Sequence, residues 1–140
     1  MSRISVIIPL YNKVREIQRT LLSVVEQSVQ PLEVIVIDDG STDGSAEVVE
    51  AMGLPLVRLI RQNNAGVSAA RNKAMQMAQG EWVALLDGDD RWRSDYLKNV
   101  ERMIETHPAA GAIGTAFDVD DGKRLAAGKT PTQEGVVDFF

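Results

Sequence analysis

A chain of 140 residues, 44% hydrophobic and 25% charged, is long enough to bury one core and short for two, so a single soluble globular domain over residues 1–140 is expected. The formal net charge of −5 supplies no overall basic field for nucleic acid or anionic lipid. The sequence has no cysteine, which excludes disulfides, thiolate zinc sites and cysteine nucleophiles, leaves oxygen or His107 to hold any metal, and fits a reducing cytoplasm.

The apolar run at residues 6–10 is too short for a signal-peptide core, and no stretch approaches the ~20 apolar residues of a membrane span. The expected location is the cytoplasm, either free or peripheral to the inner face of the membrane. ISVIIPL, residues 4–10, is a β-branched run that predicts a strand buried on both faces. After Asn12, a candidate N-cap, Val14, Ile17, Leu21, Val24 and Val25 recur at helical spacing until Pro31, predicting a helix of about four turns. EVIVID, residues 33–38, predicts a second buried strand, and the turn-rich GSTDGS leads into a helix over about residues 43–52. A third strand is expected at residues 56–60 and a third helix at about 67–78, with Gly80 as its stop signal. EWVALLD, residues 81–87, reads as a fourth strand. An amphipathic helix then starts at Ser94 and ends before Pro108. AAGAIGTAFDV, residues 109–119, predicts a fifth strand, and Asp121-Gly122 the turn of a hairpin. The last dozen residues carry no clear period.

Strands alternating with helices imply an α/β fold, an open and mostly parallel sheet with helices on both faces. Ligands of such sheets sit beyond the carboxyl ends of the strands. Tyr11 and Asn12, Asp38 and Asp39, and Asp87 to Asp90 all fall at those ends.

Asp87, Asp89 and Asp90 directly follow an apolar run. Two carboxylates about 4 Å apart repel by about 4 kcal/mol at an effective dielectric of 20, so the cluster needs positive charge beside it. Arg91 and Arg93 could pair with it at the surface, but such pairs contribute under about 1 kcal/mol and a crevice is a poor place for mere solubility. A hard divalent cation answers better, with Asp87 and Asp89 as oxygen ligands and a substrate diphosphate supplying others. A phosphatase Asp-X-Asp-X-Thr/Val motif is opposed by Arg91 at its last position and by its place after a fourth strand.

Asp39, Ser41, Asp43, Gly44 and Glu50 match positions of a calcium-binding EF-hand loop, but that loop must follow a helix and here follows a β-branched run. Helix capping accounts for Ser41 to Asp43 and leaves the buried-edge pair Asp38-Asp39 unexplained. GKRLAAGKT, residues 122–130, has one residue too many between its glycines for a phosphate-binding P-loop, and no Gly-X-Gly-X-X-Gly supports a dinucleotide. His107 fits a partner of a helix C-terminus. Arg71 fits either a solvated helix face or, among the small residues of NNAGVSAARN, a group that meets a substrate. Trp82 fits the core; Trp92 fits either core or a cover on a sugar pocket.

Together SVIIPLYN, VIDDGSTDGS, NAGVSAARN and ALLDGDD, in this order over residues 4–90, resemble the family 2 glycosyltransferases of the GT-A fold. The resemblance implies a nucleotide-sugar donor, usually uridine-linked, bound over the strand tips, with a divalent metal, Mn2+ or Mg2+, on its diphosphate and transfer with inversion at the anomeric carbon. It further implies that Tyr11 stacks on the base, that Asp39 accepts the base N–H, and that Pro9, Asn12 and Asp38 shape or support that pocket. Arg71 matches the arginine that reaches the nucleotide, Asp87 the acid near ribose and metal, and Asp89 the principal metal ligand.

Two departures accompany the match. Arg15 stands where many members carry an acid. The general base of the family is a later aspartate, and Asp118, Asp120 and Asp121 offer no reason to choose among them, although an inverting transfer needs a group to take the acceptor proton. The expectation is therefore the donor-binding half of a glycosyltransferase domain, truncated before its acceptor and base part. A non-catalytic nucleotide-sugar binding module is the alternative. A nucleotidyltransferase is disfavoured because no glycine-rich, lysine-bearing loop follows the first strand.

Overall fold

The computed structural model describes residues 3–115 and the backbone of residues 118–120 and 125–127. One compact unit ends at Asn99 and a second begins at Val100. The first contains β1 (Ile4–Leu10), α1 (Ile17–Val25), β2 (Glu33–Asp38), α2 (Ser45–Met52), β3 (Val57–Arg61), α3 (Val67–Met77) and β4 (Trp82–Leu85). The helix α4 (Tyr96–Thr106) runs across the division, and β5 (Asp118–Asp120) and β6 (Leu125–Ala127) follow.

The first unit is built on an all-parallel sheet in the order β3-β2-β1-β4. The order of the crossovers decides which face each helix covers. β1 leads through α1 to β2, and β2 through α2 to β3, outward in one direction; β3 leads through α3 back past β2 and β1 to β4. Right-handed crossovers in opposite directions place α3 on the face opposite α1 and α2. Accordingly α1 packs against α2, while α3 packs on β1 and β2. Ile7, Ile35 and Ile37 meet Ala70 and Ala74 of α3, and the alternate residues Val6, Ile8, Val34 and Val36 are just as fully buried. Burial of both faces is why these strands read as unbroken apolar runs in the sequence.

Pro9 stands inside β1, where the ring removes a ladder donor. The carbonyl of Ile7 accepts from Leu86 and that of Leu10 from Asp39, so strand alternation directs the position of Pro9 toward β4. The ladder with β4 already ends at the Ile7–Leu85 pair. The proline thus falls where no partner strand asks for its N–H.

Gly80 has a different role from the helix stop that its position suggests. α3 ends at Met77 without it, and a Cβ on Gly80 would lie 2.6 Å from the Ser5 backbone nitrogen and 2.7 Å from the Arg3 carbonyl oxygen. The residue lets the chain entering β4 pass against β1, and its N–H donates to Ser5 Oγ at 2.8 Å.

Asp39, just past β2, organises the turn between β3 and α3. It is 3% exposed, and its carboxylate accepts from Gln62 Nε2 (2.7 Å), the Ala65 N–H (2.8 Å) and the Gly66 N–H (2.8 Å). Burial opposes its charge, but these three donors together outweigh burial and hold its pKa below the ordinary carboxylate value.

Three expectations are corrected. Asn12 is not a helix cap: it takes a left-handed φ of 50°, and α1 begins only at Ile17 and runs nine residues, about two and a half turns rather than four. Residues 109–115 are not strand; they are turn, bend and irregular backbone, as the glycines and missing β-branched run at 109–112 allow. The strand nearby is the short β5, which pairs antiparallel with β6, as a hairpin requires. The hairpin turn at 121–124 and the last dozen residues lie outside the described residues.

Two substitutions test this packing. Gly80→Ala must push β1 and the β4 entry apart and is expected to lower stability by about 2 kcal/mol or more, measured by urea unfolding; a change within about 0.5 kcal/mol contradicts the close approach. Asp39→Asn replaces one of the two acceptor oxygens by an NH2 that must face at least one of the three donors, with an expected loss of about 2 kcal/mol at pH 7. Because the folded pKa of Asp39 is depressed, its stabilisation is present above the ordinary value of 3.8 and is lost as pH falls through the lower folded value. The acid limb of a stability profile is therefore expected to flatten in Asp39→Asn.

Candidate functional site

β1 and β4 lie side by side; the crossover leaving β1 through α1 and the one reaching β4 through α3 cover opposite faces, so the strand order reverses between them and the crevice beyond their carboxyl ends is a topological switch point. Three strand tips meet its rim. The first carries Tyr11, 49% exposed, followed by Asn12 in its left-handed turn. Three consecutive amides after Tyr11 are tied to the loop following β2: Asn12 N–H donates to Ser41 Oγ (3.0 Å), Lys13 N–H to Ser45 Oγ (2.8 Å) and Val14 N–H to Asp43 Oδ2 (3.0 Å). In return Thr42 N–H donates to Asn12 Oδ1 at 2.9 Å. The fixed backbone holds the half-exposed Tyr11 at the mouth.

The second tip carries Asp38 and Asp39, both 3% exposed. Asp38 Oδ1 accepts from the Ser41 N–H at 3.3 Å. Asp39 holds the 62–66 loop, as above, and a carboxylate with about four acceptor positions keeps one after those three bonds. Asp43, one residue before the Gly44 N-cap of α2, accepts from the N–H and the hydroxyl of Ser45, and the strand ahead of this segment removes the helix–loop–helix context that an EF-hand needs.

The third tip is the loop of Asp87, Gly88, Asp89 and Asp90, clamped onto α1 by its backbone. The fully buried Thr20 places Oγ1 2.6 Å from the Asp90 carbonyl oxygen and 3.1 Å from that of Gly88, so its one hydroxyl proton is shared between them. Arg19 donates to the Asp89 carbonyl at 2.9 Å. A Cβ on Gly88 would sit 3.2 Å from the Pro9 carbonyl oxygen, which seats the loop against the end of β1.

The carboxylates are met by cations from elsewhere in the chain. Arg71 of α3 donates to Asp87 Oδ1 at 2.5 Å, and Lys13 Nζ lies 2.7 Å from Asp89 Oδ2. The hydrogen bond between Lys13 and Asp89, backed by their opposite charges, raises the lysine pKa and lowers that of Asp89. Desolvation, then the charges of Asp89 and Asp87, raise the pKa of Asp90. The Arg71 Nε–H is buried with no acceptor among the described residues, so this guanidinium at the rim of the site has a donor still to satisfy. Among the described residues no group of three or more His, Asp or Glu could hold a metal. Asp87 and Asp89 alone suit a hard cation that takes its other ligands from a diphosphate and water.

Sequence reading thus finds Tyr11, Asn12, Asp38, Asp39, Arg71, Asp87 and Asp89 at one end of the sheet, and misses Lys13, Arg19, Thr20 and Gln62. Thr20 had a signal: it interrupts the buried stripe Ile17, Leu21 and Val24, and a polar residue on such a stripe needs a partner. Trp92 is half-buried and stacks on Tyr96, with centroids 4.3 Å apart. It walls an open pocket of about 310 Å3 against Arg19, Leu22 and Ser23 of α1. Trp82 is half-buried in β4. His107 Nδ1 lies 3.3 Å from the Met103 carbonyl oxygen at the end of α4, consistent with a helix-terminus partner. Asp118 and Asp120 lie in β5, described by its backbone, and Asp121 falls outside the described residues.

Comparison with known proteins bears on the family and the fold. The chain is 40% identical over 127 residues to the succinoglycan biosynthesis protein ExoO of Rhizobium meliloti, which covers 87% of this chain and 36% of that protein. S. aureus TarS, solved in complex with UDP-GlcNAc, superposes with a TM-score of 0.71 at 34% identity over 77% of this chain and 32% of its own. The mannosyltransferase PcManGT of Pyrobaculum calidifontis, in complex with GDP-Man and Mn2+, gives 0.69 at 34% identity over 80% of this chain and 34% of its own. The chain therefore spans about a third of the length of these relatives, and among the described residues no helix is long and apolar enough to cross a membrane. The family model for glycosyl transferase family 2 matches residues 5–134: with its GT-A-like sheet and strand-tip site, the chain belongs to glycosyl transferase family 2.

Proposed function

We propose that this chain carries the donor site of a glycosyltransferase, binding a nucleoside diphosphate sugar, with uridine as the preferred base, across the tips of β1, β2 and β4. The observation that carries the reading is the convergence at the switch point of an exposed Tyr11, a buried Asp39 with one acceptor position left, and the paired carboxylates Asp87 and Asp89. Tyr11 offers a face for the base, and Asp39 accepts its ring N–H. Pro9, Asn12 and Asp38 keep the tips in place. The Arg71 guanidinium, bonded to Asp87 through one of its five N–H groups, turns its outer N–H groups to the nucleotide, and Asp87 and Asp89 hold Mn2+ or Mg2+ on the diphosphate. The UDP-GlcNAc complex of TarS and the Mn2+ complex of PcManGT support a donor of this class and a metal for this fold.

A bound divalent cation supplies Lewis-acid stabilisation of the charge that grows on the leaving diphosphate. The chain's own part is to fix the carboxylates: Thr20 and Arg19 hold the loop, so the ligands do not reorganise as the sugar departs. The proposed transfer inverts the anomeric carbon, as the family resemblance implies, and takes its acceptor and general base from outside the side chains described here. The chain is thus proposed as the donor-binding part of a single domain.

UDP with Mn2+ is expected to raise the melting temperature by several degrees at about 100-fold excess over Kd, where binding contributes about 2.7 kcal/mol. Asp89→Ala is expected to remove the metal-dependent part of that shift and leave the fold intact. No shift with any nucleoside diphosphate contradicts the donor site; a shift without sugar transfer, on the same preparation, fits both a donor-binding part and a non-catalytic binding module, and detectable transfer contradicts the absence of a base from this chain.

A further inference from the structure

We propose that Lys13 is a resident counter-ion of Asp89, standing on the carboxylate that a divalent cation needs, so that cation binding has to displace it. The inference rests on the reading of Asp89 as a metal ligand and adds a residue that sets how tightly the site takes a cation.

Both ends of the pair are fixed and only the lysine stem is free to move. The Lys13 N–H donates to Ser45 Oγ at 2.8 Å, and its carbonyl accepts from the Glu16 and Ile17 N–H groups at 3.0 and 2.9 Å. On the other side Arg19 holds the Asp89 carbonyl at 2.9 Å, and Thr20 holds the residues on either side of it. Between these anchors Nζ reaches Asp89 Oδ2 at 2.7 Å, with the two side chains 39% and 42% exposed. A half-exposed ammonium can leave into water, because it is a compact, easily hydrated charge on a flexible stem; a guanidinium, such as that of Arg71 on Asp87, forms a more rigid planar pairing. The loop also needs positive charge at all times, since three carboxylates lie within four residues. Lys13 answers that need while no divalent cation is bound, and it then competes with the cation for the same oxygen.

The consequence is a site with weak affinity for a cation alone. Once Lys13 is displaced, its ammonium remains tethered at the crevice, where an anionic donor offsets its charge. Cation and donor are thereby coupled, each favouring the other.

The test is a Mn2+ titration of the intact chain without nucleotide, following the electron paramagnetic resonance signal of the free ion. Lys13→Met is expected to bind Mn2+ about fivefold more tightly than wild type, the factor that corresponds to a half-exposed ion pair at the upper end of its usual strength. Lys13→Arg, which keeps the charge, stays near wild type, and Asp89→Asn loses the binding. Equal Mn2+ affinity in Lys13→Met and wild type, or equal tightening in Lys13→Met and Lys13→Arg, overturns the counter-ion role and leaves the metal assignment standing. Undiminished binding in Asp89→Asn, or no binding in wild type and Lys13→Met alike, overturns the metal assignment and this proposal with it.

Discussion

A buried hydroxyl on α1, with Arg19 one residue before it, holds the acidic loop in place. Thr20 sits on the apolar stripe of α1, and its Oγ1 lies between the carbonyl oxygens of Asp90 and Gly88. The loop leaves β4 beside a strand that ends at Leu85, where the sheet ladder no longer holds its backbone. Without the threonine the buried Gly88 carbonyl would lose its hydroxyl partner, a loss of about 1–3 kcal/mol for a buried group left unpaired. With it, the loop is attached to α1, α1 is attached through residues 12–14 to the β2 tip, and the three strand ends form one rim.

That rim gathers charge from distant parts of the chain. The carboxylates arrive on one loop, while their cations come from the turn before α1 and from the middle of α3. Such pairs, half-exposed, add little to stability. Their value is positional: they hold the Asp87 and Asp89 carboxylates at the crevice beyond the strand tips. The buried Asp39 works in the opposite sense. It is satisfied chiefly from within, and by holding residues 62–66 it sets where α3, and hence Arg71, begins.

The buried strands were legible in the sequence because burial on both faces leaves continuous β-branched runs; Glu33–Asp38 and Ile4–Leu10 fall where the pattern puts them. The candidate site was legible as far as its residues lie at strand tips, since topology alone brings Tyr11, Asp39 and Asp87 together. Long-range partners were not. Nothing local marks Lys13 as the partner of Asp89, 76 positions away by numbering, and Gly80 looked like a helix stop because a clash with Ser5 exists only once β1 and β4 are neighbours. Asn12 misled for a related reason. Its side chain does accept an N–H, as a cap does, but from Thr42 in another loop, and tertiary contact displaced the local preference.

The tips of β1, β2 and β4 are proposed to form one nucleoside diphosphate and metal site. The most direct test is a crystal structure of the chain grown with UDP and Mn2+, with anomalous scattering used to place the ion. An anomalous peak within coordination distance of the Asp89 carboxylate is expected, with the uracil ring stacked on Tyr11. An ion bound away from the Asp87–Asp89 loop, or a nucleotide seated elsewhere on the chain, would contradict it.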